Sequence, residues 1–147
     1  MKIVKIIQWD MGHRVLHHRS ICKGLHGHRY KAEICVSGDI VMESGVSEEG
    51  MVVDFADIKN ISKEFIHDKL DHAFMVWEKD EELISFFNNS TGHKPVIVPF
   101  TPTAENVASY IFNKIQDKFH DVYQTGLKLH SVKLWETPTS YALYEKS

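Results

Sequence analysis

Residues 22–30 read CKGLHGHRY, so one of only two cysteines in the chain stands four positions ahead of a His-Gly-His triplet. Two imidazoles two apart on a strand project from the same face, and Gly27 between them places no side chain on the other. Such a pair can share a metal ion through ring nitrogens, but a site needs a further donor. His13 is the best candidate, because it closes an earlier strand-like segment that an antiparallel pairing would bring alongside residues 26–37. Three neutral imidazoles with an open fourth position describe a zinc site that polarises a substrate oxygen or activates water. His17 and His18 compete less well, since adjacent strand residues face opposite ways and a loop gives them no fixed geometry. Cys22 has two readings. Beside a cation and Lys23 its thiol is a candidate base or nucleophile; as a fourth ligand it would close the metal shell and make the site structural.

The elements that must position these groups follow from periodicity. In 2–13, KIVKIIQWDMGH, the residues Ile3, Ile7, Trp9, Met11 and His13 share one parity, which predicts a strand. In 26–37, HGHRYKAEICVS, His26, His28, Tyr30, Ala32, Ile34 and Val36 share one face, and Cys35 falls on the polar face as an incidental thiol. From Asp54 the period becomes helical: Ile58, Ile61, Phe65 and Ile66 predict a helix over 54–68 capped by Asp54. Residues 80–89 read as a short helix. Thr103 is the predicted N-cap of a longer one, carrying Val107, Tyr110, Ile111 and Ile115 to about residue 118, with Glu105 in its first turn as a structural charge. The C-terminal segment reads as two strands joined around Thr137 to Ser140. Residues 85–98, SFFNNSTGHKPVIV, read as an insertion or altered loop without an assignable role. The order predicts one α+β domain over 1–147 with antiparallel hairpins at each end, and not a doubly wound parallel sheet.

Charge narrows the partners. The formal net charge of −3 argues against general nucleic-acid binding, yet residues 11–32 hold no Asp or Glu, five of the 17 Lys and Arg, and five of the ten histidines. That segment is either a solvated basic loop or an electrostatic trap for a small polyanion such as a phosphate ester. Its candidates for phosphate contact are Arg14, Arg19, Lys23 and Arg29. No apolar run is long enough to span a membrane or serve as a signal peptide, so a cytoplasmic location with both thiols reduced is expected.

Read together, MGHRV (11–15), CKGLHGHRY (22–30), GMVVDF (50–55), LDH (70–72), PTAEN (102–106) and WET (135–137) resemble, in order and spacing, the 6-pyruvoyl- and 6-carboxy-tetrahydropterin synthase family. The resemblance runs almost end to end. It implies a tunnelling fold, an antiparallel sheet with helices on one face, whose subunits assemble into a barrel as a dimer of trimers. It implies zinc held by His13, His26 and His28, a proton-abstracting Cys22, a proton relay through Asp71 and His72, and a Glu136 carboxylate that anchors the pterin ring. The C-x3-HGH spacing looks like the bacterial 6-carboxy branch. That implies conversion of 7,8-dihydroneopterin triphosphate to 6-carboxy-5,6,7,8-tetrahydropterin, acetaldehyde and triphosphate, toward 7-deazaguanine compounds and queuosine. The alternatives are a 6-pyruvoyl synthase and a non-catalytic zinc-dependent pterin-binding protein. The sequence departs from the family pattern in WDMGH before His13 and in LDHAFMVWEKD, where an Asn soon after LDH is missing.

Overall fold

The computed structural model of the protein describes residues 1–120, 122 and 126–146. Alternating side chains produce β1 (Lys2–His13) and β2 (His26–Ser37), which pair antiparallel along their whole length, from Lys2 opposite Ser37 to His13 opposite His26. Ile7, Trp9 and Met11 of β1 and Tyr30, Ala32, Ile34 and Val36 of β2 are buried on one face, as their parity predicts.

Two long helices close the core on that face. α1 (Phe55–Phe65) begins at Asp54, whose Oδ1 accepts the Ala56 amide at 2.7 Å. α4 (Ala104–Ile115) begins at Thr103, whose Oγ1 accepts the Asn106 amide at 3.4 Å. α4 packs against β5 (Lys128–Thr137) and β6 (Ser140–Glu145) and buries Val107, Ala108, Ile111, Phe112 and Ile115. Each large apolar side chain among these contributes about 2 kcal/mol by leaving water. β5 and β6 form the expected C-terminal hairpin, and β5 pairs antiparallel with β2.

Three expectations are corrected. The helix foreseen over 54–68 breaks at Ile66, which ends α1 and starts the single-turn α2 (His67–Leu70). Two unforeseen strands, β3 (Ala73–Trp77) and β4 (Pro95–Val98), extend the sheet beyond β1, and both run parallel to their neighbours. The sheet is therefore mixed, ordered β4-β3-β1-β2-β5-β6, and antiparallel only from β1 onward. AFMVW and PVIV are too short and too uniformly apolar to show a period of two. The second of them lies in the stretch read as a loop, which also holds the second half of α3 (Glu81–Asn88).

Arg14 is likewise not free for phosphate. Its Nε and a terminal nitrogen donate to the two Asp80 oxygens at 2.7 and 2.6 Å, and the same terminal nitrogen reaches Glu82 at 2.9 Å. Asp80 is 2% exposed and caps α3 by accepting the Leu83 amide at 3.2 Å. The fork therefore fastens α3 to the end of β1. Among the described residues no helix is long and apolar enough to cross a membrane.

The Arg14 guanidinium, against a smaller opposing effect of burial, holds the Asp80 carboxyl below its ordinary 3.8. The stabilisation it brings is thus complete above that value and disappears as pH falls through the lowered pKa. Arg14→Met leaves Asp80 buried and unpaired and is expected to lower unfolding free energy by about 2–3 kcal/mol at pH 7. Urea titrations of both proteins should show that difference shrinking below pH 3.8.

Candidate metal centre and active site

The β1–β2 register sets the centre. With His13 opposite His26 and Met11 opposite His28, all three imidazoles emerge on the core face, and their ring centroids lie 4.5 to 5.1 Å apart. One nitrogen from each falls within 4.8 Å of the others, the one such donor group found among the described residues. Close approach requires small residues behind them: a Cβ at Gly27 would meet the Met11 carbonyl at 3.0 Å, and one at Gly12 would overlap the Phe74 ring.

The hydrogen bonds select the tautomers. His13 Nδ1 donates to the Pro102 carbonyl at 2.7 Å, and His26 Nδ1 donates to the Gly24 carbonyl at 2.8 Å. These bonds leave the Nε2 lone pairs aimed inward. His13 Nε2 and His28 Nε2 are buried without a hydrogen-bond partner. Glu136 approaches the same atoms, 3.9 Å from His13 Nε2 and 3.8 Å from His28 Nε2. It sits where the β5–β6 pairing shifts register between Trp135 and Thr137, an irregularity of the kind that re-aims a side chain.

Burial pulls the His13 pKa down to about 4, outweighing the Pro102 bond, and the neighbouring His26 and His28 add to the depression. His28 is lowered too, by burial first, with Glu136 opposing. With His13 Nδ1 bonded to Pro102, its Nε2 lone pair faces the Glu136 carboxylate, acceptor against acceptor, and His28 Nε2 beside it has no partner. A bound cation resolves that conflict, and neutral nitrogen donors at this spacing suit a divalent transition metal.

Cys22 lies in a short 3-10 turn (Ile21–Lys23) whose carbonyl at Cys22 accepts the Val15 amide at 2.8 Å. It lines a cavity of about 280 Å³ with His13, His18, His26, Glu105 and Glu136, among others. Its sulfur is not in the close donor group, so the geometry favours three imidazoles over a shell closed by Cys22. Glu105 does occupy the first turn of α4, as foreseen, but it also faces this cavity, which its helix-dipole reading did not anticipate. His18 lines the cavity as well, with its Nδ1 accepting the Ser20 amide at 3.0 Å, and His17 packs on Trp77.

Asp71 and His72 stand elsewhere. His72 lines an open depression with Asp10, Gly12, Gly27 and Arg29, and it does not line the Cys22 cavity. Its Nδ1 is 3.1 Å from Asp71 Oδ1, which also accepts the Asp10 amide at 3.1 Å. Burial raises the Asp71 pKa, but the Asp10 amide and the His72 ring together carry it below the ordinary range. Arg29, a phosphate candidate, pairs with Asp10 at 2.9 and 3.0 Å, whereas Arg19 and Lys23 are exposed.

Known proteins share this arrangement's chain from end to end. The family described as 6-pyruvoyl tetrahydropterin synthase matches residues 2–147. A Haemophilus influenzae protein named 6-carboxy-5,6,7,8-tetrahydropterin synthase is 40% identical over 147 residues, covering 99% of each chain. A Rickettsia conorii protein of the same name is 34% identical over 141 residues, covering 96% of this chain and 97% of its own. Among solved structures, an uncharacterized protein from Wolinella succinogenes superposes with a TM-score of 0.79 at 26% identity, over 100% of this chain and 98% of that one. The 6-pyruvoyl tetrahydropterin synthase of Caenorhabditis elegans shares the fold, with a TM-score of 0.67 at 22% identity over 100% and 96% of the two chains. By full-length sequence match and by fold, with helices packed on one face of the curled mixed sheet, the chain belongs to the 6-pyruvoyl tetrahydropterin synthase family.

Proposed function

We propose that the protein is a zinc-dependent, cytoplasmic 6-carboxy-5,6,7,8-tetrahydropterin synthase. It would take 7,8-dihydroneopterin triphosphate and water to 6-carboxy-5,6,7,8-tetrahydropterin, acetaldehyde and triphosphate, toward 7-deazaguanine compounds and queuosine. The observation that carries this reading is a group of three close imidazoles beside Glu136, two of which, His13 and His26, line one cavity with that carboxylate and Cys22. The 40% identity to a relative bearing that name supports the choice of product.

His13, His26 and His28 would hold the zinc, which when bound supplies Lewis acidity toward a substrate hydroxyl and so loosens the neighbouring carbon-bound proton. Cys22, on the wall of the same cavity, is the base that removes that proton. Glu136 presents two acceptor oxygens to the adjacent amino group and ring N–H of a pterin, a pairing that a neutral side chain matches less well. Arg19 and Lys23, exposed and adjacent in sequence to the cavity residues His18 and Cys22, supply positive charge for the triphosphate.

Asp71 orients His72 for a second proton transfer, but His72 does not line the Cys22 cavity. The pair therefore serves a cavity completed by another copy of the chain, which is what a barrel built as a dimer of trimers would provide. Mixed Cys22→Ala and His72→Ala chains, each inactive alone, are expected to recover turnover after subunit exchange. Failure to recover it would place both residues in one subunit's site.

Protein purified without added metal should carry about one zinc per chain, and His28→Ala should lose it while Cys22→Ala retains it. Elemental analysis of the three proteins checks this, and loss of zinc from Cys22→Ala would make the thiol a ligand. Incubation with 7,8-dihydroneopterin triphosphate, followed by mass spectrometry, should yield acetaldehyde together with the 6-carboxy product. A 6-pyruvoyl product without acetaldehyde would assign the sister reaction, and absence of turnover with zinc bound would leave a pterin-binding protein.

A further inference from the structure

The stretch 85–98, which the sequence left without a role, passes the Asp71–His72 pair at Lys94. We propose that Lys94 is a positioning residue that locks the backbone turn carrying this pair; the proposal rests on the pair's assigned part in proton transfer.

The turn is unusual for the residues it contains. Asp71 has φ −67° and ψ 130°, and His72 follows at φ 60°, the one non-glycine residue with positive φ among the described residues. Asp71 φ and ψ and the positive His72 φ match a type II turn, whose third position favours glycine because a Cβ is strained there. A flip of the Asp71–His72 peptide would give a type I turn, which accepts most residues, and would relax His72 to negative φ. Something must hold the disfavoured form.

Lys94 grips the group that would have to move. Its Nζ donates to the Asp71 carbonyl at 2.9 Å, the oxygen of the peptide that would flip, and to the Asp68 carbonyl at 2.8 Å. Both lie at the C-terminal end of α2, where a cation is favoured by the helix dipole. The backbone of Lys94 is fixed independently, because its carbonyl accepts the Phe74 amide at 2.9 Å where β3 and β4 meet. Lys94 is thus anchored two residues beyond His72 and reaches back to the carbonyl just before it. On the other side, the His72 amide donates to the Asp10 carbonyl at 2.8 Å, and the Asp10 amide holds Asp71 Oδ1 at 3.1 Å. Lys94 and β1 therefore hold the turn from two directions. Release of the Lys94 contact would let the peptide rotate and swing the imbalance into His72, moving its ring relative to Asp71.

The test compares Lys94→Met and Lys94→Arg in zinc-loaded protein. Lys94→Met is expected to lower kcat about tenfold with KM changed less than about twofold, while Lys94→Arg, which keeps donors, recovers most of the loss. Metal content should be unchanged in both. Amide hydrogen exchange provides a readout that does not depend on turnover: the His72 amide should exchange about tenfold faster in Lys94→Met, with β1–β2 amides unaltered. Unchanged kcat with unchanged His72 protection would overturn the proposal, as would loss of zinc and of β1–β2 protection in parallel with activity. Were the wild-type protein to show no turnover, the reaction itself would be misassigned, and His72 exchange alone would then decide whether Lys94 locks the turn.

Discussion

Two buried imidazole nitrogens, on His13 and His28, have no hydrogen-bond partner and face the two oxygens of Glu136 at 3.9 and 3.8 Å. Burial holds His13 down to about 4, so protonation does not relieve the repulsion. Leaving such groups unsatisfied in a low-dielectric interior is strongly unfavourable. The conflict disappears when a cation sits among them, and this requirement organises the surrounding structure. Pro102 and Gly24 hold His13 and His26 in the tautomer that turns lone pairs inward. The register irregularity at Glu136 brings in the carboxylate, and Gly12 opposite Gly27 lets the strands and Phe74 approach closely enough.

The helices and the parallel edge serve this arrangement in different ways. α4 starts beside the site, so the residue before its cap, Pro102, supplies the carbonyl that orients His13, and its first turn supplies the Glu105 that faces the cavity. The β3–α3–β4 segment is pinned at two places, through Arg14 on Asp80 and through Lys94 on the turn before His72. It thus joins the end of β1, where the imidazoles begin, to the Asp71–His72 turn. Rigid secondary structure on both sides of a strained turn is a means of fixing a side chain that is itself 81% exposed.

The sequence made the metal group legible because it rests on parity and one register: alternation in 2–13 and 26–37 fixes which residues share a face, and antiparallel pairing then brings His13 to His26. The Asp54 and Thr103 caps were legible for a similar reason, since capping is local. β3 and β4 were not, because five and four residues of uniformly apolar type are too short to show a period of two in the sequence. Long-range ion pairs were also hidden. Arg14 and Arg29 belong to the segment without acids, and their partners Asp80 and Asp10 come from other parts of the chain. The separation of His72 from Cys22 could not be foreseen either, since it depends on where the turn after α2 meets β1.

The central claim is that a metal ion occupies the space enclosed by the His13, His26 and His28 nitrogens. Anomalous diffraction at the zinc edge, from crystals of protein purified without added metal, tests it most directly. A single strong peak among the three imidazoles is expected. An empty difference map there, with Glu136 hydrogen-bonded to a protonated imidazole, would contradict it.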